Sequence, residues 1–134
     1  MKIDEKVLIK KAQEVRQKAY APYSGFTVGA AILCKDGSIY TGCNVENAAY
    51  PAGTCAERVA LGKAVSEGAK DFVDIAIVGG IGNERVACTP CGMCRQALSE
   101  FVCDDFIFII EEKDPKSISM AELLPGRFSA ESLK

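Results

Sequence analysis

The sequence contains no histidine among its 134 residues. This absence excludes Ser-His-Asp and Cys-His nucleophile systems, together with every metal site that uses imidazole ligands. A bound metal ion has to be held by thiolates and carboxylates, and a general base has to be Glu, Asp, Lys, Tyr or Cys. The chemistry open to the chain therefore rests on a short set of side chains.

The chain also lacks a strong excess of charge and a long apolar run. Its net charge of −2 and pI of about 5.2 differ from the basic character of proteins that grip phosphate backbones. The apolar runs at 28–34 and 106–110 are far shorter than the roughly 18 residues of a membrane span. Charges interrupt the N-terminal segment where a signal peptide needs an apolar core. We therefore expect a cytoplasmic protein with a small-molecule ligand and no nucleic-acid or membrane partner.

Cysteine, by contrast, is abundant, with seven residues in the chain. Because the cytosol keeps thiols reduced, a disulfide framework is not expected, and metal binding or catalysis becomes the better use for some of these residues. With 49% apolar residues, the chain has the size and composition of a single domain over residues 1–134 that can bury a core.

Apolar spacing and breaker residues predict the element order helix, hairpin, helix, strand, helix, strand, helix. Helices are expected over 4–20, 55–67, 90–101 and 119–124, and strands over 27–34, 38–44, 74–80 and 106–110. The first helix is expected to bury a face formed by Val7, Leu8, Ala12, Val15 and Ala19. The polar stretch 81–89 is interpreted as a loop, and the loop at 44–54 is long enough to line a site. This order predicts an α/β fold whose mixed sheet is covered by helices on both faces.

Three cysteines have the spacing of a catalytic zinc site. Cys91 and Cys94 are three residues apart on one helical face, and Cys55 lies at the start of another helix, where α/β folds bind ligands. Three protein ligands leave a fourth position open for a water molecule, which distinguishes a catalytic zinc from a structural one. Glu57 lies close enough to Cys55 to act as the proton shuttle. We expect one Zn²⁺ per chain.

An ion held by three thiolates carries a formal charge of −1 and is a weak Lewis acid unless that charge is offset. Two helix N-termini supply partial positive charge. Arg58 follows Glu57 directly, and we expect its guanidinium to hydrogen-bond the cysteine sulfurs, with Gln96 holding the guanidinium in place. Alternatively, Arg58 is an ordinary surface arginine with no role at the site.

Other interpretations of the same residues stay open. Cys91 and Cys94 could form a redox dithiol, and Cys88 could close a purely structural zinc site as a fourth thiolate. Glu57 alone would be a solvated carboxylate in the first turn of a helix. The four remaining cysteines are interpreted as small buried apolar residues: Cys34, Cys43, Cys88 and Cys103.

Cys55-Ala56-Glu57 followed by Pro90-Cys91-x-x-Cys94 resembles the zinc-dependent nucleobase deaminase signature, in the version where cysteine replaces the histidine ligand. The motifs GCNVENAAYP, CAER, PCGMCRQ and ELLPGRF together resemble the small homotetrameric cytidine deaminases, over residues 20–133. The resemblance implies a three-layer α/β/α fold with a five-stranded mixed sheet that starts with an antiparallel hairpin. It also implies a homotetramer with shared active sites.

The reaction implied by the resemblance is hydrolytic deamination of cytidine and deoxycytidine to uridine and deoxyuridine, with release of ammonia, in pyrimidine salvage. Glu57 would take a proton from zinc-bound water, the hydroxide would attack C4, and Glu57 would protonate N3 and the leaving amine. A related antibiotic, blasticidin S, is an alternative substrate. The NVENAAYP loop and the ELLPGRF tail favour cytidine.

The resemblance further implies a substrate contact at each of six positions. Asn44 and Glu46 would hydrogen-bond the ribose hydroxyls, Phe26 would stack on the base, Tyr50 would line the pocket, the Ala56 N–H would contact the base carbonyl, and Phe128 would close a neighbouring subunit's pocket. Because a carboxylate repels phosphate, Glu46 favours a nucleoside over a nucleotide. Met93 departs from the family pattern, in which alanine is more usual.

Overall fold

The computed structural model describes residues 4–111 and 114–134 and contains four α-helices and six strands within them. The helices are α1 (Glu5–Arg16), α2 (Ala56–Ser66), α3 (Gly92–Ser99) and α4 (Met120–Leu123). The strands are β1 (Phe26–Cys34), β2 (Ile39–Cys43), β3 (Phe72–Ile81), β4 (Glu84–Val86), β5 (Ile107–Ile110) and β6 (Lys116–Ser119). Short 3₁₀ turns cover Tyr50–Ala52 and Ala130–Leu133. Among the described residues, no helix combines the length and the apolar character that a membrane-spanning segment needs.

The strands form one mixed sheet in the order β2-β1-β3-β5-β6, with β4 paired to the end of β3. The β1–β2 hairpin opens the sheet, β1 also pairs antiparallel with β3, and β3 runs parallel to β5. The predicted mixed sheet with an opening hairpin is therefore confirmed. The implied count of five strands is too low, because six strands are present in the described part of the chain.

The two strands without a sequence signal are short and polar. β4 lies inside the stretch 81–89, which we expected to be a loop, and all three of its residues are exposed. β6 pairs only with β5 among the described strands and has the sequence KSIS. Edge strands of this kind carry none of the apolar alternation on which strand prediction depends.

Helices cover both faces of the sheet, so the three-layer arrangement is confirmed. Alternate side chains of β1 point to opposite faces. One face packs with α2, α3 and α4 around a cluster that includes Ile32, Ile77 and Phe108. The other packs with α1 around a cluster that includes Leu8, Ala12 and Ile109.

Helix α1 is shorter and rotated relative to the prediction. It starts after Asp4, whose carboxylate accepts a hydrogen bond from the Lys6 N–H, and it ends at Arg16 instead of residue 20. Val7 is 45% exposed, whereas Ile9 and Arg16 are buried. The Arg16 guanidinium bonds the backbone carbonyls of β1 and of the β3–β4 turn, so a charged side chain occupies a position that apolar spacing could not assign to the core.

Helix α2 lies unusually close to the hairpin, and a glycine makes this possible. A Cβ at Gly42 on β2 would lie only 2.4 Å from the Ala60 backbone nitrogen. A side chain at this position would therefore push α2 off the sheet. Because Cys55 is the N-cap of α2, this contact also sets the place of a predicted metal ligand.

All seven cysteines are free thiols. Cys34 is buried, as predicted, and Cys43 and Cys88 are partly buried. Cys103 is exposed, so its assignment as a buried apolar residue is wrong. It lies in the turn between α3 and β5 and belongs to neither of the two core clusters.

Candidate functional site

Three thiols meet where α2 and α3 begin, and we call Cys55, Cys91 and Cys94 the thiol cluster. Their sulfur atoms lie within 4.8 Å of one another. The Cys55–Cys91 and Cys91–Cys94 sulfur distances are 3.8 and 3.5 Å. A tetrahedral zinc with Zn–S bonds of about 2.3 Å separates its sulfur ligands by roughly 3.8 Å. The predicted meeting of these three residues is confirmed, and their geometry fits a zinc ion.

Two helix N-termini meet at the cluster, and the surroundings of Cys55 favour its thiolate form. Cys55 and Cys91 are the N-caps of α2 and α3, and Cys94 lies in the first turn of α3. The partial positive charge at a helix N-terminus stabilises a thiolate. A hydrogen bond from the buried Cys94 thiol and contact with Arg58 lower the pKa of Cys55 to about 5. The same hydrogen bond, together with burial, raises the pKa of Cys94.

Arg58 lies directly against the cluster. Its Nη2 atom is 3.9 Å from the Cys55 sulfur, and interaction with that thiolate raises the pKa of the guanidinium. Its Nε atom is buried and has no hydrogen-bond partner in the described part of the chain. Because buried donors are almost always satisfied, this free N–H marks a place for a further acceptor beside the cluster.

Glu57 is one of the two charged residues that are buried within the described residues, with 4% of its surface exposed. Burial is the main cause that raises the pKa of its carboxyl, and the neighbouring Cys55 thiolate adds to the rise. A carboxyl with a raised pKa beside an open pocket is typical of a general acid–base group.

A cavity of about 670 Å³ opens in front of the cluster. Cys55 and Arg58 line the cavity at the thiol cluster, and the 44–54 loop provides much of the remaining wall. This volume is within the usual range for small-molecule sites. The prediction that the long loop lines a site is therefore confirmed.

Two polar side chains of this loop are tied to the backbone around the start of β1. The Asn44 amide accepts from the Val28 N–H at 2.8 Å and donates to the Phe26 carbonyl at 2.9 Å. The Glu46 carboxylate accepts from the backbone N–H groups of Tyr23 and Ser24 at 3.0 and 3.1 Å, and also from the Ser24 hydroxyl. These bonds leave one amide hydrogen and several lone pairs available to a ligand.

The other predicted contacts are more dispersed. Tyr50 and Met93 line the cavity and are 77% and 65% exposed. Phe26 packs against the core at the start of β1, and Ala56 is fully buried at the first position of α2. Phe128 lies in the C-terminal tail, and its side chain is among the exposed apolar residues.

Gln96 does not hold Arg58 in this structure. Within the described residues, its side-chain amide instead donates a hydrogen bond to the Phe128 carbonyl at 2.9 Å. The helical register of α3 turns Gln96 towards the tail instead of the cluster. The expected link between Gln96 and Arg58 is therefore corrected.

Some contributors to the site carry no recognisable sequence signal. A Cβ at Gly79 would lie 2.9 Å from the Cys88 sulfur and 3.2 Å from the Phe26 ring, so a bare backbone at this position makes room for both. Tyr23 and Ser24 hold Glu46 from a segment that looked only like a helix break. Both relationships join distant parts of the chain, and neither follows from local spacing.

Comparisons with known proteins agree with this geometry. A family model described as the cytidine and deoxycytidylate deaminase zinc-binding region matches residues 1–110. The cytidine deaminase of Halalkalibacterium halodurans is 46% identical over 133 residues, covering 98% of each chain. The crystal structure of the cytidine deaminase from Burkholderia pseudomallei superposes with a TM-score of 0.86 at 40% identity, over 94% of this chain and 100% of the other. Blasticidin-S deaminase of Bacillus cereus is 35% identical over 107 residues, 76% of each chain.

Proposed function

The chain belongs to the cytidine and deoxycytidylate deaminase family, and from this premise we propose that it hydrolyses cytidine and deoxycytidine to uridine and deoxyuridine with release of ammonia. The observation that carries the proposal is the burial of Glu57 beside three clustered thiols at one end of a nucleoside-sized cavity. We place the reaction in pyrimidine salvage.

Cys55, Cys91 and Cys94 would hold the zinc ion. Their distances suit tetrahedral thiolate ligation, and an all-sulfur ligand set suits zinc. When bound, zinc would supply Lewis-acid activation of a water molecule. The unpaired Nε–H of Arg58 and the two helix N-termini would offset the negative charge of the three thiolates.

Glu57 would move the protons. Its carboxylate would take one proton from the attacking water and deliver it to N3 of the pyrimidine. It would then take the remaining hydroxyl proton of the adduct and deliver it to the leaving amine. Attack at C4 adds the water oxygen, and loss of ammonia restores the carbonyl of the product. Burial supports this role because it raises the pKa of the carboxyl, as is typical of groups that transfer protons.

The loop end of the cavity would hold the sugar. Asn44 and Glu46 keep hydrogen-bonding capacity for ribose hydroxyls, and the charge on Glu46 disfavours a 5′-phosphate nearby. Phe26 would stack on the base and Tyr50 would form the pocket wall. The Ala56 N–H, at the start of α2, would donate to the base carbonyl.

Completion of the pocket would involve a second subunit. The Phe128 side chain is 60% exposed on its own chain, although it is large and apolar. Insertion into a neighbour's pocket would bury it. We therefore propose a homotetramer in which active sites are shared between subunits.

Two alternative functions are deamination of blasticidin S and a purely structural zinc site. The similarity to blasticidin-S deaminase keeps an antibiotic nucleoside open as substrate. A purely structural zinc site needs a fourth thiolate, but Cys88 is packed against Gly79 and the cluster of close sulfurs contains three residues. Deamination is therefore favoured over a structural role.

The direct test is ammonia release by zinc-loaded protein from cytidine, deoxycytidine and blasticidin S. We expect release from the first two and little from the third. Turnover of blasticidin S alone would replace the proposed substrate, and no product from any of the three would contradict the enzymatic function. Zinc content measured on the same samples shows that an inactive sample was loaded.

A further inference from the structure

The two residues that follow Cys94 on α3 both bind the C-terminal part of the chain. We call residues 123–128 the C-terminal segment. The Arg95 Nη1 atom donates to the Leu123 carbonyl at 2.9 Å, and Gln96 Nε2 donates to the Phe128 carbonyl at 2.9 Å. One turn of one helix therefore grips the segment at both of its ends.

Arg95 also holds the turn that carries a cluster thiol. Its Nε atom donates to the Pro90 carbonyl at 2.8 Å, and Pro90 is bonded directly to Cys91. A single guanidinium thus spans the carbonyl before Cys91 and the carbonyl at the end of α4. Because guanidinium donors have a fixed geometry, moving one of these carbonyls displaces the other.

The segment has further support, but that support leaves its aromatic side chain free. Arg127 forms an ion pair with Asp104, in the turn that leads to β5. Although the carbonyls of residues 123 and 128 are hydrogen-bonded and the Arg127 side chain is paired, the Phe128 side chain is still 60% exposed. These contacts therefore fix the position of the Phe128 side chain, although the side chain itself is not packed into the core.

We propose that Arg95 and Gln96 are positioning residues: Arg95 fixes the Pro90–Cys91 turn of the thiol cluster against the C-terminal segment, and Gln96 fixes the backbone of Phe128. The inference rests on the proposed function for the roles of the thiol cluster and of Phe128. The hydrogen bonds of Arg95 and Gln96 connect the Pro90–Cys91 turn with the C-terminal segment through α3. They therefore hold the position of Phe128 constant relative to the thiol cluster.

The first test measures zinc affinity by chelator competition. Arg95→Gln removes both charged donors, and Arg95→Lys keeps the charge but loses the rigid fork that reaches two carbonyls. We expect zinc to bind about 10-fold more weakly to either variant, because supporting residues around a metal typically contribute 10- to 100-fold. Arg85→Gln is the control, since Arg85 pairs with Glu111 on an exposed strand.

The lysine variant keeps the test decisive if the glutamine variant does not fold. Unchanged zinc affinity in folded Arg95→Lys protein, together with unchanged affinity in any folded Arg95→Gln protein, would overturn the role of Arg95. Circular dichroism on the same samples separates loss of zinc affinity from loss of fold.

The second test uses the absence of tryptophan from the chain. Phe128→Trp introduces the one tryptophan of the chain at the tail, and its emission can be excited selectively over that of the four tyrosines. In this background, Gln96→Glu replaces the amide donor with an isosteric acceptor that repels the Phe128 carbonyl. We expect lower tryptophan anisotropy, while Gln17→Glu, at the exposed end of α1, leaves it unchanged. Equal anisotropy in the Gln96 variant and the parent would overturn the role of Gln96.

Kinetics then connect the contact with the reaction. In the otherwise unaltered chain, we expect Gln96→Glu to raise KM for cytidine several-fold with a smaller change in kcat per zinc, because the tail aromatic touches substrate without moving protons. Failure of the proposed function is distinguishable, because it would appear as inactivity of the parent protein, whereas zinc affinity and anisotropy report on the positioning contacts in either case.

Discussion

Glu46 lines the cavity on its loop side, whereas Glu57 is buried beside the thiol cluster, and the two carboxyls experience opposite environments. Glu57 is 4% exposed at the thiol cluster, and burial raises the pKa of its carboxyl. Glu46 is partly exposed on the loop, and hydrogen bonds from the Ser24 hydroxyl and backbone lower its pKa. The same residue type thus has a raised pKa beside the thiols and a lowered pKa on the loop, which agrees with the proposed roles of proton shuttle and anionic acceptor.

The two ends also differ in how they are built. The thiol cluster lies on the N-termini of two helices that pack against the sheet. Asn44 and Glu46 depend instead on hydrogen bonds to the chain around residues 23–28. We therefore expect chemistry to depend on the thiol cluster and Glu57, and affinity on the loop that carries Asn44 and Glu46. Substitutions at each end should separate kcat from KM.

The largest effect is expected at Glu57. Glu57→Gln keeps the shape of the side chain but removes proton transfer, and kcat should fall by roughly 10²- to 10⁴-fold. Zinc content should stay near that of the unaltered protein. Glu67→Gln at the exposed end of the same helix is the matched control. Near-normal turnover by the Glu57 variant would break the assignment of chemistry to the buried end.

The next effect is expected at Arg58. Arg58→Ala removes the cation beside Cys55 and should lower turnover per bound zinc by about 10- to 100-fold, as for other residues that support metal ligands. Arg58→Lys should recover part of this loss. Activity is to be divided by zinc content measured on each sample. Full turnover per zinc in the alanine variant would contradict charge compensation by Arg58.

A smaller effect, mainly on KM, is expected at the loop end. Glu46→Gln replaces a charged acceptor with a neutral one, and KM for cytidine should rise roughly tenfold because hydrogen bonds to charged groups contribute about 1.5–3 kcal/mol. The change in kcat should be smaller. Dideoxycytidine, which lacks both ribose hydroxyls of interest, should show little difference between the two proteins.

Ser24→Ala distinguishes sugar binding from loop support. This variant removes a hydroxyl that bonds Glu46 but leaves the carboxylate in place. If it raises KM as much as Glu46→Gln does, and the increase persists with dideoxycytidine, Glu46 acts by holding the loop. That result would remove its proposed contact with ribose.

Local signals in the sequence were sufficient to predict that the three thiols meet, although not the position of Gln96. The i, i+3 spacing of Cys91 and Cys94 placed two sulfurs on one face, and a helix start at Cys55 brought in the third. The central strands were predicted because they are apolar and continuous. The hairpin followed from its turn residues and the flanking strand pattern.

Contacts between distant segments could not be predicted in the same way. The bond from Gln96 to the Phe128 carbonyl depends on where the tail folds back, 32 residues later in the chain. The burial of Arg16 depends on carbonyls supplied by β1 and by the β3–β4 turn. Strands β4 and β6 exist because backbone groups pair at the sheet, whereas their polar side chains carry little strand signal.

The smallest effect, on stability, should have opposite signs at the two glutamates. The Glu57 pKa is raised above its ordinary 4.5, so the folded protein loses stability as pH rises from about 4.5 through the folded pKa. The Glu46 pKa is lowered, so its contribution is present above about 4.5 and is lost as pH falls through the folded pKa.

At pH 7 and equal zinc occupancy, Glu57→Gln should therefore raise the Tm, by roughly 2–4 °C for each kcal/mol of relieved burial cost. Glu46→Gln should lower the Tm slightly. The Glu57 difference should shrink as the pH is lowered through about 4.5, because its carboxyl is then neutral in the folded and unfolded states alike. The Glu46 difference should persist until the pH falls through its lowered folded pKa. Thermal unfolding monitored by circular dichroism at pH 7 measures both signs. Equal shifts of one sign would mean that the two carboxylates share one environment, and the contrast between the two ends of the cavity would then fail.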